Sequence, residues 1–319
     1  MSESAFPDQD GRFSDRLIVS SDFARDFARM RGEGWRVDEI YPADEPHSAI
    51  LSRAGESAHL SSMPDAGEPS DRLPAFQAEF ILTRSAADGG EGRAGMRYRD
   101  LIPSRLGGRY IASHITIAEG GPVDDWVHYH GVAFQMIFVR SGWVRVVYED
   151  QGEPFVMHAG EMVLQPPYIR HRVLESSPGL EVIEIGCPAL HKTFSDHEMQ
   201  LPNGIGQDRT FSGQHFLHSA IDDRDAGLMD ATGGLADARI VSAATRFEPH
   251  VGELVFGFVL EGAARLDFGD GAALGPADAF VIQPGEAWAI ADASADFRLL
   301  HVTTAQMPER IPGSPAKSA

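Results

Sequence analysis

Four things are scarce in this 319-residue chain, and each scarcity closes off a class of function. Cysteine occurs once, at Cys187, which rules out an internal disulfide and fits a reducing compartment. Basic residues are few: 27 Lys and Arg against 47 Asp and Glu leave a net charge of −20, a poor match for nucleic acid or an anionic membrane. No apolar run approaches the ~18 residues of a membrane span, and Met1 to Ala5 lacks a basic segment followed by an apolar one, so a soluble, cytoplasmic protein is expected. No helix-turn-helix pattern is present either, which weakens a role as a transcriptional sensor. What remains is 43% hydrophobic and 9% aromatic, enough to fill real cores, over a length that suggests about two or three domains.

The most informative stretch runs from Trp126 to Arg172. His128 and His130 are two residues apart, and on an extended strand they point to the same face, where they can grip one ion. Gly131 permits a turn, and Gln135 opens the apolar run Phe134–Val139. That run ends at Ser141-Gly142 and returns as Trp143–Tyr148, the pattern of a hairpin. With Ser141-Gly142 as a two-residue loop, Gln135 falls opposite Tyr148 and makes Tyr148 a pocket candidate. A further strand, Met162–Gln165, leads through Pro166-Pro167 to His171.

These residues resemble the two motifs of the cupin family. Gly121, His128-Tyr129-His130, Gln135 and Gly142 follow the first, and Gly160, Pro166 and His171 the second. The sequence departs from the family pattern twice. Gln135 stands where a glutamate is usual, and Tyr168 where a glycine is usual. The resemblance implies a mainly β protein built on a jelly-roll barrel, with a divalent transition metal (Fe, Ni, Zn, Mn or Cu) on His128, His130 and His171, joined by Gln135. Three neutral imidazoles and a neutral amide leave the ion its full charge, which favours a small anionic chelating substrate. Gln135 cannot be a general base, so Tyr148 or a metal-bound hydroxide is left to handle protons.

From Ala238 the chain repeats itself. Val255–Phe268 echoes Gln135–Tyr148, with Gly262 matching Gly142 at an offset of 120 residues. In this second cupin the ligand slots fall on Glu248, His250, Val255 and either Trp288 or Ala289, so a metal-free, structural barrel is expected, with a dry ligand pocket as the alternative. Before the first barrel, Leu17–Val19, a helix capped at Ser21-Asp22 and three further strands give a βαβββ order that resembles one module of the vicinal-oxygen-chelate family. In that resemblance His47 and His59 become ligand candidates, the alternative being a structural module. Arg97, Arg99, Arg105 and Arg109 form a local basic patch, either solvated or available to an anionic substrate. His191, His197, His215 and His218 match no zinc spacing.

The expected organisation is therefore a flexible N-terminus (1–16), a small α+β module (17–62), a linker (63–104), a metal-binding cupin (105–190), an inter-cupin linker (191–237), a degenerate second cupin (238–305) and a flexible tail (306–319). The expected function is that of a metal-dependent enzyme of dioxygenase type. A metal-assisted isomerase, hydrolase or lyase on a small polar acid and a non-enzymatic ligand-binding cupin are the alternatives. A homodimer is considered because both faces of Phe134–Val139 are apolar and need cover, although a second sheet of the same chain would serve equally.

Overall fold

In the computed structural model, residues 16–63, 71–86, 90–91, 96–205, 209–223 and 226–312 are described. The flexible N-terminus expected for 1–16 lies, but for Arg16, outside them. The chain is mainly β, and its framework is two jelly-roll sandwiches stacked back to back. In the first, a sheet containing His128–His130, Trp143–Tyr148, Phe155–His158 and His171–Ser176 faces a sheet containing Ile111–Ile117, Phe134–Ser141, Glu161–Leu164 and Leu180–Cys187. In the second, Ala236–Val241, Val255–Glu261, Ala279–Val281 and Arg298–Thr304 share one sheet, while Thr245–Phe247, Ala264–Asp267, Ala272–Leu274 and Trp288–Ala291 form the other.

Strand alternation explains the stack. On Phe134–Ser141 the side chains of Phe134, Met136 and Phe138 point away from the first sandwich, into a core they share with Phe256, Phe258, Leu300 and Val302 of the second. The alternate residues Ile137 and Val139 point inward. A strand buried on both faces reads as a continuous apolar run, and here the second face is covered by the same chain, so this face calls for no second copy.

The expected hairpin is not formed. Phe134–Ser141 pairs with Leu180–Cys187 and Glu161–Leu164, whereas Trp143–Tyr148 pairs with His171–Ser176 and Phe155–His158. Ser141-Gly142 is a corner at which the chain leaves one sheet for the other, next to a break in register between Val139 and Ser141. Gly142 has φ +79°, and a Cβ there would lie 2.4 Å from Ser177 Oγ, so the corner needs glycine for conformation and for space. Gly262 repeats the corner at φ +70°, against Phe297 and Ser294.

The βαβββ order appears as Arg16–Val19, helix Phe23–Gly32, Arg36–Tyr41, Ser48–Arg53 and Glu56–Ser61. Asp22 caps the helix by accepting from Arg25 N, and Met30 packs with Leu51 and Leu60. This module extends the metal-side sheet: Arg36–Tyr41 pairs with Thr193–Ser195, which pairs with His128–His130.

Segments read as connections also carry strands. Within the stretch expected as a linker, Ile81–Thr83 pairs with Ala279–Val281 of the second sandwich, and Arg97–Asp100 pairs with Ile111–Ile117 of the first. Within the inter-cupin stretch, Leu217–Ala220 pairs with Glu161–Leu164. The expected flexible tail is anchored at its start: Met307 is 3% exposed, and Ile311 N donates to Asp71 O. Its last residues, 313–319, lie outside the described residues. Of the three strands, Ile81–Thr83 overlaps Glu79–Leu82, a strand-like piece within the linker sequence, whereas the other two, of four residues each, are too short to establish a period.

One ion pair crosses between the sandwiches. Arg109 donates to both carboxylate oxygens of Glu253, at 2.9 and 2.7 Å, and Tyr110 Oη and Met307 N donate to the same carboxylate. Both partners are 6% exposed. Breaking such a pair from one side leaves an uncompensated buried charge, so Glu253→Gln should cost about 3–5 kcal/mol of unfolding free energy. Urea unfolding of the variant checks this; a loss below about 1 kcal/mol would mean that the pair is dispensable.

Candidate metal centre

Register brings three histidines together. His128 is the cross-strand partner of His171, and His130 lies two residues along the same face. One ligand-capable atom from each of the three lies within 4.8 Å of the others. Ring centroids are 4.3 Å apart for His128 and His171 and 5.1 Å apart for each pair with His130. Nδ1 of His128 is 2.8 Å from the Trp126 carbonyl, and Nδ1 of His171 is 3.0 Å from the Ile169 carbonyl. A carbonyl oxygen only accepts, so both Nδ1 atoms carry a proton, and in the neutral imidazole this leaves the lone pair on Nε2. His130 Nδ1 is held at 2.9 Å by Thr193 Oγ1. Neutral imidazoles locked in orientation by outer partners are what a transition-metal site requires, so the residues present fit such an ion.

Gln135 and Tyr148 line the same cavity, together with two residues that no motif had pointed to, Gln165 and Glu184. Gln135 Nε2 donates to Glu184 Oε1 at 2.6 Å. A carboxylate cannot donate, so the amide orientation is unambiguous, and Gln135 Oε1 is buried without a hydrogen-bond partner among the described residues. Tyr148 is the cross-strand neighbour of His171, its ring stacked at 5.4 Å, and its hydroxyl accepts from Gln165 Nε2 at 3.0 Å. Burial pushes the Tyr148 phenol above its ordinary pKa, so at neutral pH it is a donor rather than a base. Tyr148 reaches the pocket from the sheet opposite Gln135, not from the hairpin that the sequence suggested. Tyr168 adopts φ +62°, the left-handed conformation for which the family pattern keeps a glycine. A side chain there costs about 1–2 kcal/mol, which the packing of its ring beside Tyr129 and Phe194 offsets.

The other candidates are dispersed, with one exception. His191 lines the cavity and packs edge-on against His130 at 5.3 Å; its Nδ1 faces the Pro188 carbonyl and its Nε2 is buried without a hydrogen-bond partner among the described residues. It lies in an irregular segment, so no periodicity could have placed it. His197 pairs with Asp38, His218 with Glu161 and His59 with Ser48, while His215 and His47 lie outside the cavity lining. The histidine triad is the one group of three or more metal-ligating side chains among the described residues, so His47 and His59 form no such cluster. Arg99 donates to the Arg84 and Ala277 carbonyls, Arg105 pairs with Asp44 and Asp100, Arg109 pairs with Glu253, and Arg97 is exposed. The first three arginines are committed to structural contacts. Burial raises the pKa of the Cys187 thiol, which leaves it protonated.

In the second sandwich the corresponding positions do not converge. Glu248 is exposed, His250 Nε2 is 2.7 Å from the Thr304 carbonyl, and Val255 is in the core. Trp288 stacks on Phe247 at 3.9 Å and meets Phe280 edge-on, filling the interior.

Residues 113–185 match the cupin domain family. Among solved structures the chain is similar to protein Ylba from E. coli, with TM-score 0.50 and 12% identity over 72% of this chain and 93% of that one. It also aligns with a mutant oxalate decarboxylase from Bacillus subtilis, with TM-score 0.48 and 11% identity over 74% and 80% of the two chains. No curated protein sequence matches the chain. Residues 113–185 are therefore a cupin domain, and identities this low speak to fold alone. No helix among the described residues is long and apolar enough to cross a membrane.

His301 packs against Phe247 and Trp288 inside the second sandwich, with Nε2 buried and without a hydrogen-bond partner among the described residues. Burial, then the charges of Arg239 and His250, lower its pKa to about 3. Between that value and the ordinary 6.5 the unfolded chain binds a proton that the folded chain refuses, so stability falls as pH drops through this window. Replacement of this imidazole by His301→Phe should remove about 2 kcal/mol of the stability lost between pH 6.5 and 5. Thermal unfolding at the two pH values checks it: equal acid sensitivity in variant and parent would contradict the assignment.

Proposed function

We propose that the chain is a metal-dependent cupin enzyme of dioxygenase type, acting on a small anionic chelating substrate at one divalent transition-metal ion (Fe, Ni, Zn, Mn or Cu). His128, His130 and His171 would hold the ion, and Gln135 would present its amide oxygen beside them. The observation that carries this reading is the pair of Nδ1 contacts to backbone carbonyls, which turns two buried imidazoles toward a common point as neutral donors. Such an ion supplies Lewis acidity and binds oxygen-donor groups of a substrate. The protein's own residues would do the rest. Glu184 fixes the direction of the Gln135 amide, and Gln165 holds the Tyr148 oxygen so that its proton is directed to a bound ligand. The carboxylate of Glu184 and the phenol of Tyr148 line the same cavity from the two sheets. That arrangement of a proton donor and an acceptor supports, as a second reading, a metal-assisted isomerase, hydrolase or lyase. A non-enzymatic cupin that only binds a small ligand is the third. Oxygen uptake on substrate addition separates the first reading from the second, and metal-dependent turnover separates both from the third.

Elemental analysis of protein purified without added metal should give about one transition-metal ion per chain, because among the described residues only the first sandwich collects a histidine triad. His171→Ala should lose most of that metal and stay folded by circular dichroism; full retention of metal would sink the site. Gln135→Glu should keep the metal, since a carboxylate binds at least as well as an amide. It should also weaken an anionic substrate by about 1–3 kcal/mol through added negative charge. Binding measured at matched metal content tests this, and unchanged affinity would mean a neutral substrate or a Gln135 turned away from the ion.

A further inference from the structure

The first sandwich keeps open the space that the second one fills. In the second, Phe247, Trp288 and Phe280 stack through the interior. In the first, a cavity of about 150 Å³ remains, a volume that in other proteins admits a benzene-sized molecule. Its lining is graded along the strands. Beyond Ser113, Gln135, Tyr148, Gln165, His171 and Glu184, a two-residue step away from the histidines on each strand reaches Ile115, Ile137, Val146, Val163, Val173 and Val182. Alternation places each pair on one face, and the strand registers run the change from polar to aliphatic in the same direction on neighbouring strands. The Gln165–Tyr148 hydrogen bond ties the two polar ends together across the sandwich, so the aliphatic ends also face each other.

Aliphatic residues inside a barrel ordinarily serve to fill it. These border the cavity instead, and all are β-branched; by strand register the repeat has Phe280 in place of Val163, with its ring lying over Gly257 in place of Ile137. We infer that the substrate carries an apolar body, a ring or branched chain of about six carbons, attached directly to its chelating group. The aliphatic wall holds that body, which makes a hydrophobic 2-oxo acid, enolate or catechol-like anion the fitting class and a polyol or a bare dicarboxylate the wrong one. Placement of the chelating head rests on the metal-centre reading proposed above; the apolar chamber does not.

The test uses the full chain and calorimetric titration. Metal-free protein should bind toluene. Metal-loaded protein should bind benzoylformate at least about tenfold more tightly than pyruvate, which has the same 2-oxo acid head and lacks the ring, since each buried methylene is worth about fourfold. Val182→Phe, which fills the chamber, should abolish toluene binding and the preference for benzoylformate while leaving metal content and pyruvate binding unchanged. Equal affinity for the two acids, or toluene binding that survives Val182→Phe, would overturn the inference. Should Val182→Phe fail to fold, toluene binding and the two-acid comparison on the unaltered protein decide alone. Protein that binds toluene but no metal would refute the metal centre and uphold the chamber.

Discussion

The structure depends on the double burial of one strand. Phe134–Ser141 gives one face to the core between the sandwiches and the other to the cavity, so its register cannot slip without exchanging the two sets of side chains. Phe134, Met136 and Phe138 fix the strand from outside, and that constraint sets Gln135 and Ile137 within the cavity. The second sandwich is in this sense the support of the first. The Arg109–Glu253 pair adds direction to a contact that is otherwise non-directional, because two parallel hydrogen bonds tolerate little rotation between the packed sheets.

Pairing then carries this precision to the histidines. His171 sits between Tyr148 and His128 across the ladder, and each imidazole is braced from behind by a carbonyl or a hydroxyl. The cavity combines two environments. At one end lone pairs and hydrogen-bonding groups gather around the triad; at the other the lining is mostly aliphatic, with Met96 and Tyr98 beside Ile115. A low-dielectric wall next to a charged site strengthens electrostatic interactions there, so the aliphatic end serves the polar end as well as any ligand between them.

Much of this was legible before any coordinates. Two histidines on one strand face, a third arriving on another strand and the 120-residue echo between Gly142 and Gly262 are local patterns that survive folding unchanged. What was not legible depended on which sheet a strand joins. Ser141-Gly142 has the chemistry of a hairpin loop and of a corner alike, and only the pairing of Phe134–Ser141 with Leu180–Cys187 separates them. Glu184 hid for the same reason: inside Leu180–Cys187 it reads as one of two surface carboxylates, Glu181 and Glu184, until the register shows that Glu184 faces the cavity. Gln165 reads only as the last residue of the strand Met162–Gln165, with no sign of a role, and His191 lies outside regular strands, where periodicity says nothing. The basic patch dissolved because Arg105 and Arg109 met carboxylates from distant parts of the chain, Arg109 across 144 residues, and Arg99 is taken up by backbone carbonyls.

The N-terminal module has so far figured as an extension of a sheet, yet its position gives it a larger part. Its strand Arg36–Tyr41 borders Thr193–Ser195, and Thr193 is the residue whose hydroxyl holds His130. The loop after that strand brings Ala43 and Asp44 to the cavity wall. Helix and sheet of the module are thus mechanically in series with one imidazole of the triad. The module therefore contributes both to the cavity wall, through Ala43 and Asp44, and to the support of the strand whose hydroxyl braces His130.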